Sequence, residues 1–159
     1  MPRLKAALVV ALATALGLIG AVSVSGSAQA ATRSPMVIKN MQTDRCLSSN
    51  SAGTVHSNPC SGSDNQIWDR TLDGDSNSTL RNRATGRYLQ AHANETVTTQ
   101  PRSGSAAQKW RISHSPHEGY WRIKNLGNGK CLSNYGSSDP RTTRTLTCGP
   151  STFDAWKIN

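Results

Sequence analysis

A threefold internal repeat constrains the fold of this 159-residue chain more than any other feature. Each copy carries three landmarks in the same order: an Asn that ends a matching tetrapeptide, a Cys-Leu or Tyr-Leu pair, and a closing Trp. The landmarks are Asn40, Asn82 and Asn125; Cys46-Leu47, Tyr88-Leu89 and Cys131-Leu132; and Trp68, Trp110 and Trp156. The copies span about 37–69, 78–112 and 120–159. A period of about 42 residues lies in the range that indicates a repeat architecture.

Each copy predicts short β-strands joined by polar turns. The segments 79–82 and 120–123 alternate apolar and polar residues, as half-buried strands do. Thr85-Gly86 and Asn128-Gly129 are dipeptides typical of hairpin turns. Since three copies of such a unit can close one small barrel without exposed sheet edges, the sequence predicts an all-β domain.

The first 30 residues have a different composition and predict a secretory signal peptide. Arg3 and Lys5 form a basic head, residues 6–24 an apolar run, and residues 28–30 a small-x-small triplet of the kind that signal peptidase cleaves. An uncleaved membrane anchor is the alternative, because the run is about long enough to span a bilayer. The triplet favours cleavage, and the Ala-rich leader favours a bacterial source. We therefore expect a secreted domain over 31–159, which contains no further run long enough for a membrane span.

The repeat also resembles a known family. A Cys-Leu pair early in a repeat and a Gln-x-Trp at its end are similar to the ricin B-type lectin domain, a β-trefoil. The end motifs are Gln66-Ile67-Trp68, Gln108-Lys109-Trp110 and the variant Asp154-Ala155-Trp156. The resemblance covers about residues 37–159. It implies four strands in each repeat, twelve in all, with Trp68, Trp110 and Trp156 in a shared core, and a disulfide inside a repeat.

Four cysteines allow three disulfide pairings. The resemblance favours Cys46 with Cys60 and Cys131 with Cys148, because these pairs lie inside copies one and three at equivalent places. Copy two has Tyr88 and Arg102 at the corresponding positions, so both members of its pair are absent together. Export would place all four cysteines where disulfides persist.

The same resemblance defines a sugar site, and this sequence departs from it. The family pattern has an Asp after the Cys-Leu pair, an aromatic residue shortly before the second Cys, and an Asn ahead of Gln-x-Trp. The Asp position holds Ser48, Gln90 and Ser133, and the aromatic position holds Asn58, Gln100 and Leu146. The Asn is kept only in copy one, as Asn65; the equivalent residues of copies two and three are Ala107 and Phe153. Copy one keeps the most polar set, and the candidate ligand contacts are Ser48, His56, Asn58, Asn65 and, in a loop of copy three, Tyr135.

Charge suggests a second kind of ligand. The chain has 18 Lys and Arg against nine Asp and Glu, a net charge of +9, which falls to +7 without the two bases of the leader. Arg81, Arg83 and Arg87 bracket one turn of copy two and are candidate contacts for a sulfated, phosphorylated or uronic polymer. Nucleic acid is disfavoured because paired aromatics and basic runs are lacking.

We therefore expect an extracellular, lectin-like carbohydrate-binding module with degenerate sugar sites and no catalysis. The sequence contains neither G-x-S-x-G nor H-E-x-x-H. No cofactor is expected, and no metal site, because the histidines are dispersed and no C-x-x-C occurs. Two alternatives stay open: a protein-binding trefoil, such as a protease inhibitor or a toxin-accessory subunit, and a scaffold whose sugar sites have decayed.

Overall fold

A computed structural model describes residues 33–73, 75–135 and 142–159. The predicted signal peptide lies outside the described residues. Those residues form 12 strands, which confirms the all-β prediction: β1 (Arg33–Asn40), β2 (Cys46–Ser49), β3 (Val55–Asn58), β4 (Ile67–Leu72), β5 (Ser78–Asn82), β6 (Tyr88–Ala91), β7 (Val97–Gln100), β8 (Trp110–His114), β9 (Trp121–Asn125), β10 (Cys131–Ser133), β11 (Arg144–Leu146) and β12 (Trp156–Ile158). A short 3-10 helix precedes the last strand of each repeat, at Asp64–Gln66, Ala106–Gln108 and Thr152–Asp154. No helix in the described part of the chain is long and apolar enough to cross a membrane.

Six of the strands close into a barrel. The ring runs β1, β4, β5, β8, β9, β12 and back to β1, and every neighbouring pair is antiparallel. The remaining strands form the hairpins β2–β3, β6–β7 and β10–β11. Each hairpin joins the carboxyl end of β1, β5 or β9, so all three lie at the same end of the barrel. This is the architecture of a β-trefoil.

The tryptophans that end the repeats lie in the core beneath the hairpins. Trp68, Trp110 and Trp156 are each 0% exposed. Each indole Nε1 donates a hydrogen bond to the carbonyl of the Leu in its own repeat: Leu47 at 3.0 Å, Leu89 at 3.0 Å and Leu132 at 2.9 Å. A buried indole N–H needs an acceptor, and the backbone carbonyl at the Leu position supplies it in every repeat.

The repeated Asn residues join one repeat to the next. Each Nδ2 donates to the carbonyl of the residue before the end motif of a neighbouring repeat: Asn40 to Phe153 at 2.9 Å, Asn82 to Asn65 at 2.7 Å, and Asn125 to Ala107 at 2.8 Å. Each Oδ1 accepts hydrogen bonds from backbone N–H groups in the turn that follows. The three side chains therefore form a closed set of links around the barrel.

Both predicted disulfides are confirmed. Cys46 bonds Cys60 and Cys131 bonds Cys148, with Cα–Cα distances of 5.1 and 5.0 Å. Each bridge ties a hairpin to the segment that leads into the end motif of the same repeat.

The third end motif is built differently from the other two. Gln66 and Gln108 accept from a backbone N–H five residues earlier, at 2.8 Å, and donate to a carbonyl seven residues earlier. Asp154 keeps the first contact, from Gly149 N at 3.0 Å. A carboxylate cannot make the second contact, since it has no proton to donate. Arg122 lies beside it instead, with its Nε 3.5 Å from Asp154 Oδ2 and a hydrogen bond from Nη2 to the Gly149 carbonyl.

Candidate functional site

One face of the β2–β3 hairpin forms the floor of a polar pocket in repeat one. Ser48 lies directly opposite His56, and Cys46 lies opposite Asn58. Since cross-strand partners share a face of the sheet, the Ser48, His56 and Asn58 side chains point to the same side. Leu47 points the other way, into the core.

The segment from Pro59 to Gln66 forms the facing wall. Gln66 fixes its shape, because its Nε2 donates to the Pro59 carbonyl at 2.9 Å and its Oε1 accepts from Ser61 N at 2.8 Å. Asn65 ties this wall to the floor by donating from Nδ2 to the Ser49 carbonyl at 2.8 Å. Asn65 at one end and the Cys46–Cys60 bridge at the other therefore hold the wall against the hairpin.

Floor and wall enclose an open pocket of about 500 Å³. It brings together all four candidate contacts of repeat one, Ser48, His56, Asn58 and Asn65. Sequence reasoning did not identify Ser61 and Ser63, which also line the pocket. Their position between the second Cys of the repeat and its end motif is the signal that could have indicated them.

The pocket offers hydroxyl, amide and imidazole groups for hydrogen bonding. Its lining consists of serine hydroxyls, Asn and Gln amides, the His56 imidazole and one proline. Hydroxyl and amide groups both donate and accept, as the hydroxyls of a sugar do. The described lining holds no carboxylate and no Phe, Tyr or Trp, and no group of His, Cys, Asp or Glu that could hold a metal ion is found among the described residues.

The corresponding groups of repeat two are occupied by one another. Gln90 stands in the Ser48 position, and its Oε1 accepts from Gln108 Nε2 at 3.0 Å. The Thr98 hydroxyl contacts His92 Nε2 at 2.8 Å and accepts from Gln100 Nε2 at 3.1 Å. Ala107 replaces the Asn that borders the pocket in repeat one. The polar side chains of repeat two thus form hydrogen bonds with one another.

Repeat three carries an aromatic pair instead of the polar set. Tyr135 is 53% exposed, and its ring meets Phe153 edge-on with ring centroids 5.9 Å apart. Phe153 holds the place of Asn65, and Ser133 lies opposite Arg144. Most of the loop that follows Tyr135 lies outside the described residues.

The three candidate arginines of repeat two differ in their surroundings. Arg83 forms an ion pair with Asp69, with Nη2 3.1 Å from Oδ1, and Arg81 Nη1 lies 4.0 Å from the other oxygen of the same carboxylate. The Arg81 Nε donates to the Gly86 carbonyl at 3.0 Å. The Arg87 guanidinium lies instead against Gly53, in the turn between β2 and β3. One acid therefore offsets part of the charge of Arg81 and Arg83.

Comparison with known families identifies the chain. Three overlapping segments, residues 29–102, 71–147 and 106–158, match the model of the family described as ricin-type β-trefoil lectin domain-like. These segments together cover most of the sequence, so the chain belongs to this family. No curated protein matches it significantly.

Solved structures support the same fold. The designed threefold-symmetric protein ThreeFoil is 23% identical, with a TM-score of 0.70 over 78% of this chain and 96% of that one. SeviL, solved bound to the asialo-GM1 saccharide, is 18% identical, with a TM-score of 0.66 over 80% of this chain and 98% of that one. An exo-β-1,3-galactanase from Clostridium thermocellum is 19% identical, with a TM-score of 0.71, and the match covers 80% of this chain but 30% of the enzyme.

Proposed function

We propose that the protein is an exported carbohydrate-binding module of lectin type that acts without catalysis, and that repeat one carries its sugar site. The observation that carries this proposal is the repeat-one pocket, where Ser48, His56, Asn58 and Asn65 converge in an open cleft of about 500 Å³. Membership of a lectin-like family supports it. The two disulfides and the predicted leader support export.

The chemistry of the pocket predicts weak binding. A neutral hydrogen bond contributes about 1 kcal/mol net, against about 1.5–3 kcal/mol for one to a charged group. With Ser48 in place of an Asp and no aromatic ring under the sugar, a monosaccharide gains only a few neutral contacts. We expect a dissociation constant on the order of millimolar, without strong selectivity for galactose.

Anionic glycans are a second ligand class, supported by the net charge of +7 that is left without the two bases of the leader. Arg81, Arg83 and Arg87 are the candidate contacts in repeat two. Asp69 limits what the first two contribute, because it already pairs with them. Binding of this kind is expected to fall as salt screens the exposed charges.

A glycan array with neutral and anionic saccharides tests the proposal, followed by calorimetry on the best neutral ligand. Asn58→Ala removes an amide from the pocket, and Gln100→Ala is the matched control at the corresponding position of repeat two. We expect Asn58→Ala to weaken binding about fivefold, the value of one neutral hydrogen bond, and Gln100→Ala to leave it unchanged. Binding to no saccharide, or inhibition of a protease without saccharide binding, would reject the carbohydrate function.

A further inference from the structure

The outer wall of the barrel carries one charged cross-strand pair at each boundary between repeats. The residue after each repeat-ending Trp lies directly opposite the residue before each repeated Asn. The three pairs are Asp69 with Arg81, Lys157 with Lys39, and Arg111 with Lys124. They occupy equivalent positions of the threefold fold, so their differences come from sequence alone.

Two of the three boundaries contain an acid. Between repeats one and two, Asp69 is itself a member of the pair and contacts Arg81. Between repeats three and one, Lys39 reaches Asp44, with Nζ 2.6 Å from Oδ1. The positive charge of both boundaries is therefore partly neutralised within the protein.

At the boundary between repeats two and three, no acid among the described residues pairs with either member of the cross-strand pair. Arg111 and Lys124 lie opposite each other on β8 and β9, both are exposed, and neither forms an ion pair within the described residues. Like charges directly opposite in a β-ladder destabilise the pair. The next outward pair on the same strands is Ser113 with Arg122, which adds a third base whose guanidinium contacts Asp154.

The Arg111 guanidinium is also held in place. Its Nε and Nη2 lie 3.4 and 3.3 Å from Oδ1 of Asn77, which is 6% exposed. A guanidinium has five N–H donors, so this contact orients the group and leaves other donors for a ligand. An oriented Arg on the strand next to an exposed Lys suits sulfate or carboxylate groups.

We propose that the pair Arg111 and Lys124 on the β8–β9 wall is a binding site for a sulfate or carboxylate group of an anionic polysaccharide. The inference rests on the proposed carbohydrate function for its ligand class. It assigns that ligand to a place on the barrel wall that differs from the repeat-one pocket and does not include Arg81, Arg83 or Arg87. A bound anion supplies at this boundary the negative charge that Asp69 and Asp44 supply at the other two.

The test compares two double variants in binding to immobilised dextran sulfate, with neutral dextran as the reference surface. Arg111→Ser/Lys124→Ser removes the pair, and Arg102→Ser/Lys157→Ser removes the same net charge at two other exposed positions. At low ionic strength we expect the first variant to bind about tenfold more weakly, the effect of losing two exposed charge contacts. The control should lose no more than about twofold, and both variants should remain folded.

Equal losses in the two variants, or a larger loss in the control, would overturn the site. Failure of the wild-type protein to bind dextran sulfate at low salt would overturn it as well. The proposed function is separately distinguishable, because binding of a neutral sugar that depends on Asn58 would persist in Arg111→Ser/Lys124→Ser. If neutral binding also fails in the wild type, the carbohydrate function fails with it.

Discussion

Replacing Ser48 by Asp would place a carboxylate on the floor of the repeat-one pocket, directly opposite His56. The family pattern has an Asp at this position, so the variant restores the acceptor that the chain lacks. Each hydrogen bond from a sugar hydroxyl would change from a neutral one, worth about 1 kcal/mol, to a charge-assisted one of about 1.5–3 kcal/mol. We expect a gain of roughly 1–2 kcal/mol, or about 5–30-fold in affinity for a neutral galactoside.

Calorimetric titration of wild type and variant with methyl galactoside measures the gain. Gln90→Asp is the matched control, since residue 90 holds the same place in repeat two. That repeat has Ala107 where the pocket has Asn65, and the substitution also removes the Gln108 contact, so we expect no gain there. An unchanged affinity in a folded Ser48→Asp protein, or an equal gain from Gln90→Asp, would refute the assignment of the sugar site to repeat one.

Three further predictions concern stability and ionisation. Trp110→Ala should lower the free energy of unfolding by roughly 3–5 kcal/mol, because the indole is fully buried and hydrogen-bonded; a chemical denaturation midpoint equal to wild type would contradict this core position. Asp154→Gln should destabilise by about 1–2 kcal/mol, although it restores the motif of the other repeats, because Arg122 loses its acidic partner and keeps only the Gly149 carbonyl. A melting temperature at or above that of wild type would show that the ion pair is dispensable. The hydrogen bond from Lys130 lowers the pKa of Glu95. This contact therefore stabilises the fold fully above about pH 4.3, the ordinary pKa of Glu. Its contribution is lost as the pH falls through the lowered pKa. Lys130→Met should raise the pKa of Glu95 in a carboxyl NMR titration, and an unchanged titration curve would exclude the contact.

The fold was predictable because the sequence repeats the residues that make the threefold contacts. Trp68 and Asn82 recur since each makes a buried hydrogen bond that has an equivalent in every repeat. The pairing of Cys46 with Cys60 was predictable because the second repeat lacks both of the equivalent cysteines together. Residues whose contacts recur in every repeat are therefore visible in a single sequence.

The surface chemistry was less predictable, because it depends on strand register between repeats. Asp69 meets Arg81 only because β4 and β5 pair in one particular alignment. The opposition of Arg111 and Lys124 arises in the same way on β8 and β9. A sequence pattern shows that these charges exist, but their neighbours follow from the closed barrel.

The candidate site was partly predictable. Departures from the family pattern identified repeat one as the most polar copy, and its four candidate residues line one pocket. The role of the Asn65 amide was not visible, since its bond to the Ser49 carbonyl requires the wall to fold against the hairpin. The internal pairing of Gln90 with Gln108 in repeat two was hidden for the same reason.

The most direct test of the central claim, that repeat one holds the carbohydrate site, is an NMR titration of the isotope-labelled protein with methyl galactoside into the tens of millimolar range. The claim predicts progressive shift changes at Ser48, His56, Asn58 and Asn65, with the corresponding signals of repeat two unmoved. A spectrum that does not change, or changes confined to another repeat, would contradict it.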